Sequence, residues 1–493
     1  MNRFRTPWIV IAFIAALALI VIAVATPRPA TLSEHTAGDP ALATQLRELT
    51  PDRGHQSVAA VVITRDGMTH AAIGESAPNT GRPIGPGDTI ELGSITKTFN
   101  GFLLADAVTR GEVRLDDPVG QHLRALSGTP IGDVTLEELA THHGGVPPLP
   151  PSVLLRGLPT NLTGGNPYAS ATRDSVLTEV AGLEPMNTRG SEAYSNLGAT
   201  LLGWALADAA GAPDWETHVH ARLLEPLGVE PTFAATQADV PNDTVPGFTA
   251  NGFGAPHWTS PAFRPAGAGT YVAVAEVGAY AQAILDNRAP GLEAMDPRFE
   301  GEGSVGVGLG WFVDQPEGAP PITWHNGGTA GYRTMLGIDR EAGRAVFVVG
   351  NTDRPVDAIA PALLSLEQPG SPDQPEAAQP GLSWVDLVVP GIALFLVASA
   401  FVSALRGRSR SELMGSVAGA VFALALARLL GSWVVLGGWV WAVLVLATAV
   451  AAGLGVRRWS GLPWHPRRFR VWGWINTGLS VALAVAALVL ARR

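Results

Sequence analysis

Long apolar stretches lie at both ends of the chain, and residues of mixed polarity fill its middle. One unbroken apolar run covers residues 7–25, and further runs cover 385–405, 413–456 and 471–491. A bilayer-spanning helix needs about 20 apolar residues, so the run 413–456 has room for two helices, with a break at Gly431-Ser432. The pattern therefore predicts a C-terminal transmembrane domain of about four α-helices over residues 384–493.

The N-terminal apolar run has two possible fates. It follows Arg3 and Arg5, and arginines before an apolar stretch are typical of an export signal. The small residues Ala23-Val24-Ala25 could serve as a cleavage site, but the run is also long enough to stay in the bilayer. Residues 1–27 are therefore predicted to be a signal peptide or an N-terminal membrane anchor, and both alternatives stay open.

Arginine clusters orient the predicted spans. Three arginines lie in 406–410 and five lie in 457–470, and the positive-inside rule places both clusters in the cytoplasm. Two clusters on one side need an even number of spans between them, which agrees with two helices in 413–456. Residues 28–383 are thus expected outside the cytoplasm, in a multi-pass protein of a bacterial cell membrane with the lipid bilayer as a partner.

The middle of the chain changes from strand-like to helical periodicity and back. Residues 57–64 and 68–73 are rich in β-formers and flank Asp66-Gly67, which predicts a hairpin. Apolar spacing predicts helices near 94–110, 136–141, 174–181, 195–210 and 214–226, and strands at 322–325, 331–339 and 345–351. Strands at both ends with helices between them predict an α/β sandwich with a helical insertion over residues 46–368.

Two stretches without such periodicity bound this body. Residues 28–45 are expected to form a loose lead-in. Residues 369–383 are rich in proline and low in complexity, a composition typical of a semi-extended linker.

Composition excludes several chemistries. The chain has no cysteine, which rules out disulfides, zinc–thiolate sites, iron–sulfur clusters and a cysteine nucleophile. It has neither a His-Glu-x-x-His motif nor a phosphate-binding loop, and we expect no metal and no cofactor. Residues 28–383 hold 20 basic and 41 acidic side chains, a balance that argues against nucleic acid as a partner.

Among the 33 basic residues, Lys97 is the single lysine. It ends the segment Ser94-Ile95-Thr96-Lys97 at the start of a predicted helix, where residues three apart share one face. A serine hydroxyl becomes a nucleophile when a base takes its proton, and a desolvated lysine can do this whereas arginine keeps its own proton. The pattern indicates Ser94 and Lys97 as a catalytic pair.

Two later segments carry groups that could complete a catalytic site. In Tyr194-Ser195-Asn196, a tyrosine with a lowered pKa could act as a general base, and the asparagine could hydrogen-bond both a lysine and a substrate amide. The segment His325-Asn326-Gly327-Gly328 ends a predicted strand. Glycines there would let a substrate backbone approach and could offer an N–H group to an oxyanion.

In this order the three segments resemble the Ser-x-x-Lys, Tyr-x-Asn and Lys/His-x-Gly elements of the serine β-lactamase and penicillin-binding superfamily. Residues 91–99 are similar to its nucleophile segment, and residues 134–146 to its helix and loop ending in His-Thr-Ser-Gly-Leu. The likeness covers about residues 45–355 and is greatest to class C β-lactamases, D-aminopeptidases and related esterases. It implies a β-lactamase/transpeptidase-like fold.

The resemblance also implies an acyl-enzyme mechanism. By matching, Ser94 would attack a carbonyl, Lys97 and Tyr194 would share the proton transfers, and Asn196 would position Lys97 and the substrate amide. The oxyanion hole would use the backbone N–H groups of Ser94 and Gly328.

The remaining matched positions, Gly327 and His325, would contact substrate beside the oxyanion hole. His325 stands where β-lactamases usually carry lysine, and a neutral imidazole lacks the fixed charge that holds a penicillin-like carboxylate. A second departure is His143-Gly144-Gly145, which replaces Thr-Ser-Gly.

Two functions agree with these observations. The first is a membrane-tethered, extracytoplasmic serine hydrolase that acts on an amide or ester, such as a D-amino-acid peptide from the cell wall. The second is a non-catalytic sensor that binds penicillin or a wall peptide and signals through the C-terminal helices. The intact set of Ser94, Lys97 and Tyr194 favours the hydrolase.

Overall fold

A computed structural model describes residues 6–163, 165–300, 305–315, 320–365 and 384–464, with residues 478, 479 and 482. The strands are β1 (Thr36–Gly38), β2 (Ser57–Thr64), β3 (Gly67–Gly74), β4 (Thr89–Glu91), β5 (Thr232–Phe233), β6 (Gly247–Phe248), β7 (Gly254–Ala255), β8 (Thr270–Ala273), β9 (Phe299–Glu300), β10 (Val305–Val307), β11 (Phe312–Asp314), β12 (Ile322–Gly328), β13 (Arg333–Asp339) and β14 (Arg344–Gly350).

The helices are α1 (Thr6–Ala25), α2 (Pro40–Leu49), α3 (Lys97–Thr109), α4 (Val119–His122), α5 (Leu136–Ala140), α6 (Pro151–Thr163), α7 (Arg173–Val180), α8 (Asn196–Ala209), α9 (Trp215–Val219), α10 (Glu225–Leu227), α11 (Val274–Leu285), α12 (Ile359–Ser365), α13 (Trp384–Arg406), α14 (Arg410–Leu430), α15 (Trp433–Leu436) and α16 (Gly438–Arg458). The described residues of 31–250 and 254–378 form a larger unit, and those of 1–30, 251–253 and 379–493 form a smaller one.

Strands from both ends of the larger unit meet in one antiparallel sheet. Across the described residues its order is β1-β3-β2-β14-β13-β12-β11-β10-β9. The early strand β2 pairs with β3 in the predicted hairpin and with the late strand β14, where Val61 lies opposite Phe347. The predicted α/β sandwich with its helical insertion between early and late strands is therefore confirmed.

The sheet separates two apolar cores, because successive side chains of a strand point to opposite faces. On β14, Phe347 and Val349 belong to the large core under the helical insertion, whereas Val346 and Val348 belong to a smaller core under α2 and α12. The first helix of the insertion, α3, has buried residues on all of its faces. A helix enclosed in this way holds its N-terminal residues in fixed positions.

The expected loose lead-in at residues 28–45 is wrong. Strand β1 pairs with β3, with Thr36 opposite Ile73. Helix α2 begins after Asp39, whose carboxylate accepts a 2.8 Å hydrogen bond from the backbone N–H of Leu42, and Pro40 follows as the first helical residue. The helix buries Leu42 and Leu46 in the smaller core. This segment is part of the body.

In the smaller unit, the described residues contain helices that are long and apolar enough to cross a membrane: Pro7–Ala25, Leu387–Arg406, Arg410–Leu430 and Gly438–Gly461. The predicted break at Gly431-Ser432 is confirmed, because α14 ends at Leu430 and α16 begins at Gly438. Buried alanines such as Ala400 and Ala423 lie where these helices pack, since small side chains let helices approach closely. The linker 369–383 and most of the predicted span 471–491 lie outside the described residues.

Candidate active site

Ser94 and Lys97 lie together at the start of the enclosed helix. Ser94 is in a 3₁₀ turn, Gly93–Thr96, and Lys97 is the first residue of α3. The Lys97 Nζ atom lies 2.9 Å from the Ser94 Oγ atom and donates a 2.7 Å hydrogen bond to the backbone carbonyl of Ala266. At this separation a proton can pass directly between the two side chains.

The surroundings of Lys97 favour its neutral form. The side chain is 2% exposed, and it has no carboxylate partner within the described part of the chain. Burial therefore lowers the pKa of Lys97 well below its usual value. A neutral amine beside Ser94 Oγ can accept the hydroxyl proton.

Tyr194 lies close to both members of this pair. Its ring centroid lies 4.9 Å from Lys97 Nζ, and Tyr194 and Ser94 line the same open groove. Desolvation raises the pKa of Tyr194 above its usual value, and the neighbouring Ser94 side chain opposes this shift. The direction is opposite to the one that a tyrosinate base requires, so Tyr194 is present as a neutral phenol that can donate a proton. With 37% of its surface exposed, it remains open to a substrate.

The end of β12 approaches the nucleophile closely enough to form an oxyanion hole. Gly93 has φ of +65°, and a Cβ atom at this position would lie 2.9 Å from the Gly328 backbone nitrogen. A Cβ atom at Gly327 would lie 3.2 Å from the Ser94 backbone nitrogen. The backbone N–H groups of Ser94 and Gly328 therefore lie near each other. The turn that carries Ser94 and the strand that carries Gly328 can approach this closely because both contact positions are glycines.

Two buried histidines flank Tyr194. His325 is fully buried, and burial lowers its pKa to about 3, so its imidazole is neutral at neutral pH. His142 was not selected from the sequence, although it lies in the segment 134–146. Its ring centroid is 4.5 Å from that of Tyr194, and its backbone φ of +62° is left-handed. Burial lowers its pKa well below the usual value as well.

Asn196 lies beside the nucleophile with a partner that the sequence did not indicate. Its side chain lies near that of Tyr168, and burial raises the pKa of Tyr168 to about 12. Both residues line a small cavity of about 20 Å³ next to Ser94, together with Trp258. The expected contact with Lys97 is not among the hydrogen bonds of the described residues, where Lys97 binds Ser94 and Ala266.

A buried acid–imidazole pair supports this cavity. Glu91, three residues before Ser94, is 1% exposed and lies 2.9 Å from Nδ1 of His257. The same carboxylate oxygen accepts a 3.3 Å hydrogen bond from the backbone N–H of Trp258. Burial raises the pKa of Glu91, and the hydrogen bond with His257 opposes that shift. The pair joins the segment before the nucleophile to the segment that carries Trp258.

The structure thus brings together all of the residues predicted for the site, which come from the start of α3, the start of α8 and the end of β12. The sequence did not indicate Tyr168, His142, Glu91 and the Ala266 carbonyl. The Ala266 contact is made by a backbone atom far along the chain, and nothing in local spacing marks it.

The chain is similar to hydrolases of known sequence and structure. A family model described as Beta-lactamase matches residues 41–368. Over 318 residues the chain is 24% identical to the D-alanyl-D-alanine-carboxypeptidase/endopeptidase AmpH of Escherichia coli (strain K12). The aligned region covers 60% of this chain and 79% of that protein.

Two solved structures share its fold. The class C beta lactamase from Rhodobacter sphaeroides has a TM-score of 0.55 and 21% identity, over 65% of this chain and 96% of that one. The D-alanine carboxypeptidase AmpC from Burkholderia cenocepacia has a TM-score of 0.54 and 21% identity, over 66% of this chain and 97% of that one.

Proposed function

This chain belongs to the Beta-lactamase family, a family of serine hydrolases, and we propose that it is a membrane-tethered, extracytoplasmic member that acts through an acyl-enzyme on an amide or ester. Family and fold agree with the motif resemblance and with a β-lactamase/transpeptidase-like sandwich. The observation that carries the proposed mechanism is the chain's single lysine, buried with its Nζ atom 2.9 Å from Ser94 Oγ.

Acylation begins with proton transfer from Ser94 to the neutral amine of Lys97. The Ser94 oxygen then attacks the substrate carbonyl carbon, and the negative charge that develops on the carbonyl oxygen is stabilised by the N–H groups of Ser94 and Gly328. Collapse of the tetrahedral intermediate breaks the bond to the leaving group. The Tyr194 phenol, which lines the same groove as Ser94 and lies beside Lys97, donates a proton to the leaving atom and is reprotonated from Lys97.

Deacylation reverses these roles. A water molecule that approaches the ester carbonyl loses a proton to the Lys97–Tyr194 pair, and Ser94 regains its own proton as it leaves. No metal or cofactor has a part in this scheme, and no cluster of potential metal ligands occurs among the residues that the structure describes.

The membrane tether is supported by the apolar helices and by the distribution of arginine. Helices of spanning length precede and follow the catalytic body, and the arginine clusters at 406–410 and 457–470 favour the cytoplasm for both of those loops. The catalytic body, with its excess of carboxylates, would then face the outside, where cell-wall peptides occur. AmpH carries the name of a D-alanyl-D-alanine carboxypeptidase, and a wall-derived D-amino-acid peptide is the substrate class that we propose here.

Labelling of membranes that contain the full chain tests the function. A serine-reactive fluorophosphonate should label the parent protein, and Ser94→Ala should abolish the label. A fluorescent penicillin run in parallel separates hydrolase from sensor, since a hydrolase releases the label with time and a sensor retains it. Equal labelling of parent and Ser94→Ala by the fluorophosphonate would exclude Ser94 as the nucleophile.

A further inference from the structure

A groove on the Tyr194 side of Ser94 is large enough for part of a substrate. Its volume is about 410 Å³, compared with about 20 Å³ for the cavity beside Tyr168. The lining includes Ser94 and Tyr194, the side chains Phe312 and Trp324, and Glu192. Phe312 and Trp324 are stacked with ring centroids 4.9 Å apart, so one wall of the groove is a flat apolar surface.

Glu192 is the one charged side chain in this lining. It is exposed, and it has no ion pair or side-chain hydrogen bond among the described residues. The nearest arginine in sequence, Arg189, is held by two hydrogen bonds to Glu138. A carboxylate that stays unpaired beside an apolar wall attracts a positively charged group.

The polar groups on the other sides of the groove do not offset this charge. The Asn326 side chain lines the groove and donates a 2.5 Å hydrogen bond to the carboxylate of Asp357. His325 and Lys97 are buried and favour their neutral forms. Arg333 does not line the groove, and its charge interacts with the carboxylates of Asp353 and Asp357. The groove therefore presents net negative charge to a substrate.

The proposed chemistry decides which part of the substrate enters this groove. The leaving atom must receive a proton as its bond to the carbonyl carbon breaks, and Tyr194 is the proton donor. Because Tyr194 also lines the groove, the leaving group lies there and the acyl group lies on the opposite side of Ser94.

We propose that the leaving group of the substrate carries a positive charge, bound by Glu192, next to an apolar part that packs on Phe312 and Trp324. The substrate class is an amide or ester whose leaving amine or alcohol bears a second, cationic amino group. Among wall-derived D-amino-acid peptides, the same charge favours a leaving group with a cationic amino group over a terminal D-alanine, whose carboxylate is free. This inference rests on the proposed acyl-enzyme function and names its substrate class.

The step itself is that of the proposed function. The Ser94 oxygen forms an ester bond with the carbonyl carbon, the bond from that carbon to the leaving nitrogen or oxygen breaks, and the leaving atom takes a proton from Tyr194. Water then hydrolyses the ester, so no oxidant, reductant or further reactant is needed.

Three esters with one acyl group test the inference on the full chain in membranes. All carry N-acetyl-D-alanine, and the alcohols are choline, dimethylbutanol (its uncharged carbon analogue) and hydroxypropanoate, which is anionic. We expect the parent to prefer the choline ester over the uncharged analogue in kcat/KM by about fivefold, the upper range for an exposed ion pair. About 0.5 M NaCl should reduce this preference by screening.

Variants of Glu192 assign the preference to one side chain. Glu192→Gln should bring the choline-to-dimethylbutanol ratio close to one, and Glu192→Arg should shift the preference to the anionic ester. Glu184→Gln, which removes an exposed carboxylate from the same stretch of chain outside the groove lining, should keep the parent ratio.

The outcomes separate this inference from the function on which it rests. If the protein labels at Ser94 but hydrolyses none of the esters, or if Glu192→Gln keeps the parent ratio, the inference is overturned and the serine hydrolase stands. If the fluorophosphonate does not label Ser94 at all, the proposed function fails and the inference fails with it.

Discussion

The Thr334 hydroxyl donates a 2.8 Å hydrogen bond to the backbone carbonyl of Leu92, which ties β13 directly to the residues that lead into Ser94. Gly327 of the neighbouring strand β12 lies against this bond. A Cβ atom on Gly327 would lie 2.2 Å from Thr334 Oγ1 and 2.3 Å from the Leu92 oxygen. The two N–H groups of the proposed oxyanion hole therefore depend on a position where no side chain fits.

Gly327→Ala should remove most activity. The added methyl group must push β12 away from the nucleophile segment, and the loss of one oxyanion donor typically costs about 10²-fold in kcat. Overpacking should also lower the free energy of unfolding by about 1–3 kcal/mol. Gly87→Ala is the control, since a Cβ atom there would have no neighbour within 4 Å. Similar kcat values for the two variants would contradict this account of the oxyanion hole.

Much of the fold could be predicted because the body alternates between two clear periodicities. The hairpin β2–β3 and the strands β12 to β14 follow from β-rich runs bounded by turns, and α3 and α8 follow from apolar spacing. The strands β10 and β11 have three residues each and were missed, since such short runs carry no periodic signal. Helix α2 was missed although Asp39-Pro40 is a recognisable helix start.

The site was predictable as a set of motifs but not as a geometry. Ser94 and Lys97 are close in sequence, so helical spacing alone brings them together. The contacts of Lys97 with Ala266 and of Glu91 with His257 join residues more than 160 positions apart, and only the folded chain creates them. The raised pKa of Tyr194 also follows from packing, which no motif records.

The corrected start of the body leads to a prediction about fragments. A fragment of residues 31–368 should be soluble and should melt cooperatively without the apolar ends. The shorter fragment 46–368 removes β1 and cuts α2 before Leu46, so it exposes the smaller core and should melt at a lower temperature or aggregate. Circular dichroism during heating would compare them, and equal melting temperatures would show that β1 and α2 add nothing to stability.

Buried histidines predict a loss of stability in acid. Burial lowers the pKa of His55 and of His325 from 6.5 to about 3 in the folded state. Between these values the unfolded chain binds the extra proton, so the free energy of unfolding should fall by about 1.4 kcal/mol per pH unit for each histidine as the pH drops below 6.5. Above pH 6.5 the contribution of these groups should be constant.

Urea unfolding of the full chain in detergent at pH 7 and pH 5 measures this effect. His55→Gln lies away from the nucleophile and removes one titrating group, so its loss of stability between the two pH values should be smaller than that of the parent by about 2 kcal/mol. His220→Gln, at a partly exposed position, serves as the control and should keep the parent slope. If the free energy of unfolding of His55→Gln falls as steeply between pH 7 and pH 5 as that of the parent, then His55 does not titrate in this range.

The arginine distribution predicts the orientation of the membrane helices. Reporter fusions after Arg410 and after Arg470 should both give the cytoplasmic signal, because both follow arginine clusters. A reporter placed within residues 31–365 should give the external signal. An external signal after Arg470 would require an odd number of spans in 413–456 and would overturn the proposed topology.

The single lysine gives the sharpest test of mechanism. Lys97→Arg replaces an amine that can be neutral by a guanidinium that keeps its proton, so we expect acylation to slow by about 10²-fold or more. Lys97→Met keeps a similar stem without any charge and should lose as much. Tyr194→Phe should also reduce turnover, because the leaving group and the attacking water both lose their proton relay. Stopped-flow measurement of fluorophosphonate labelling and of ester turnover gives the two rates separately.

These variants are informative only if they fold, because Lys97 lies in a fully packed helix and arginine is larger. Each protein should therefore show the melting temperature of the parent before its rate is interpreted. Ser94→Ala sets the baseline for no acylation, and Glu184→Gln sets the baseline for an exposed substitution outside the groove. If folded Lys97→Arg labels and turns over like the parent, the proton acceptor is not Lys97. The presence of a single lysine in the chain would then reflect its amino-acid usage and not a catalytic requirement.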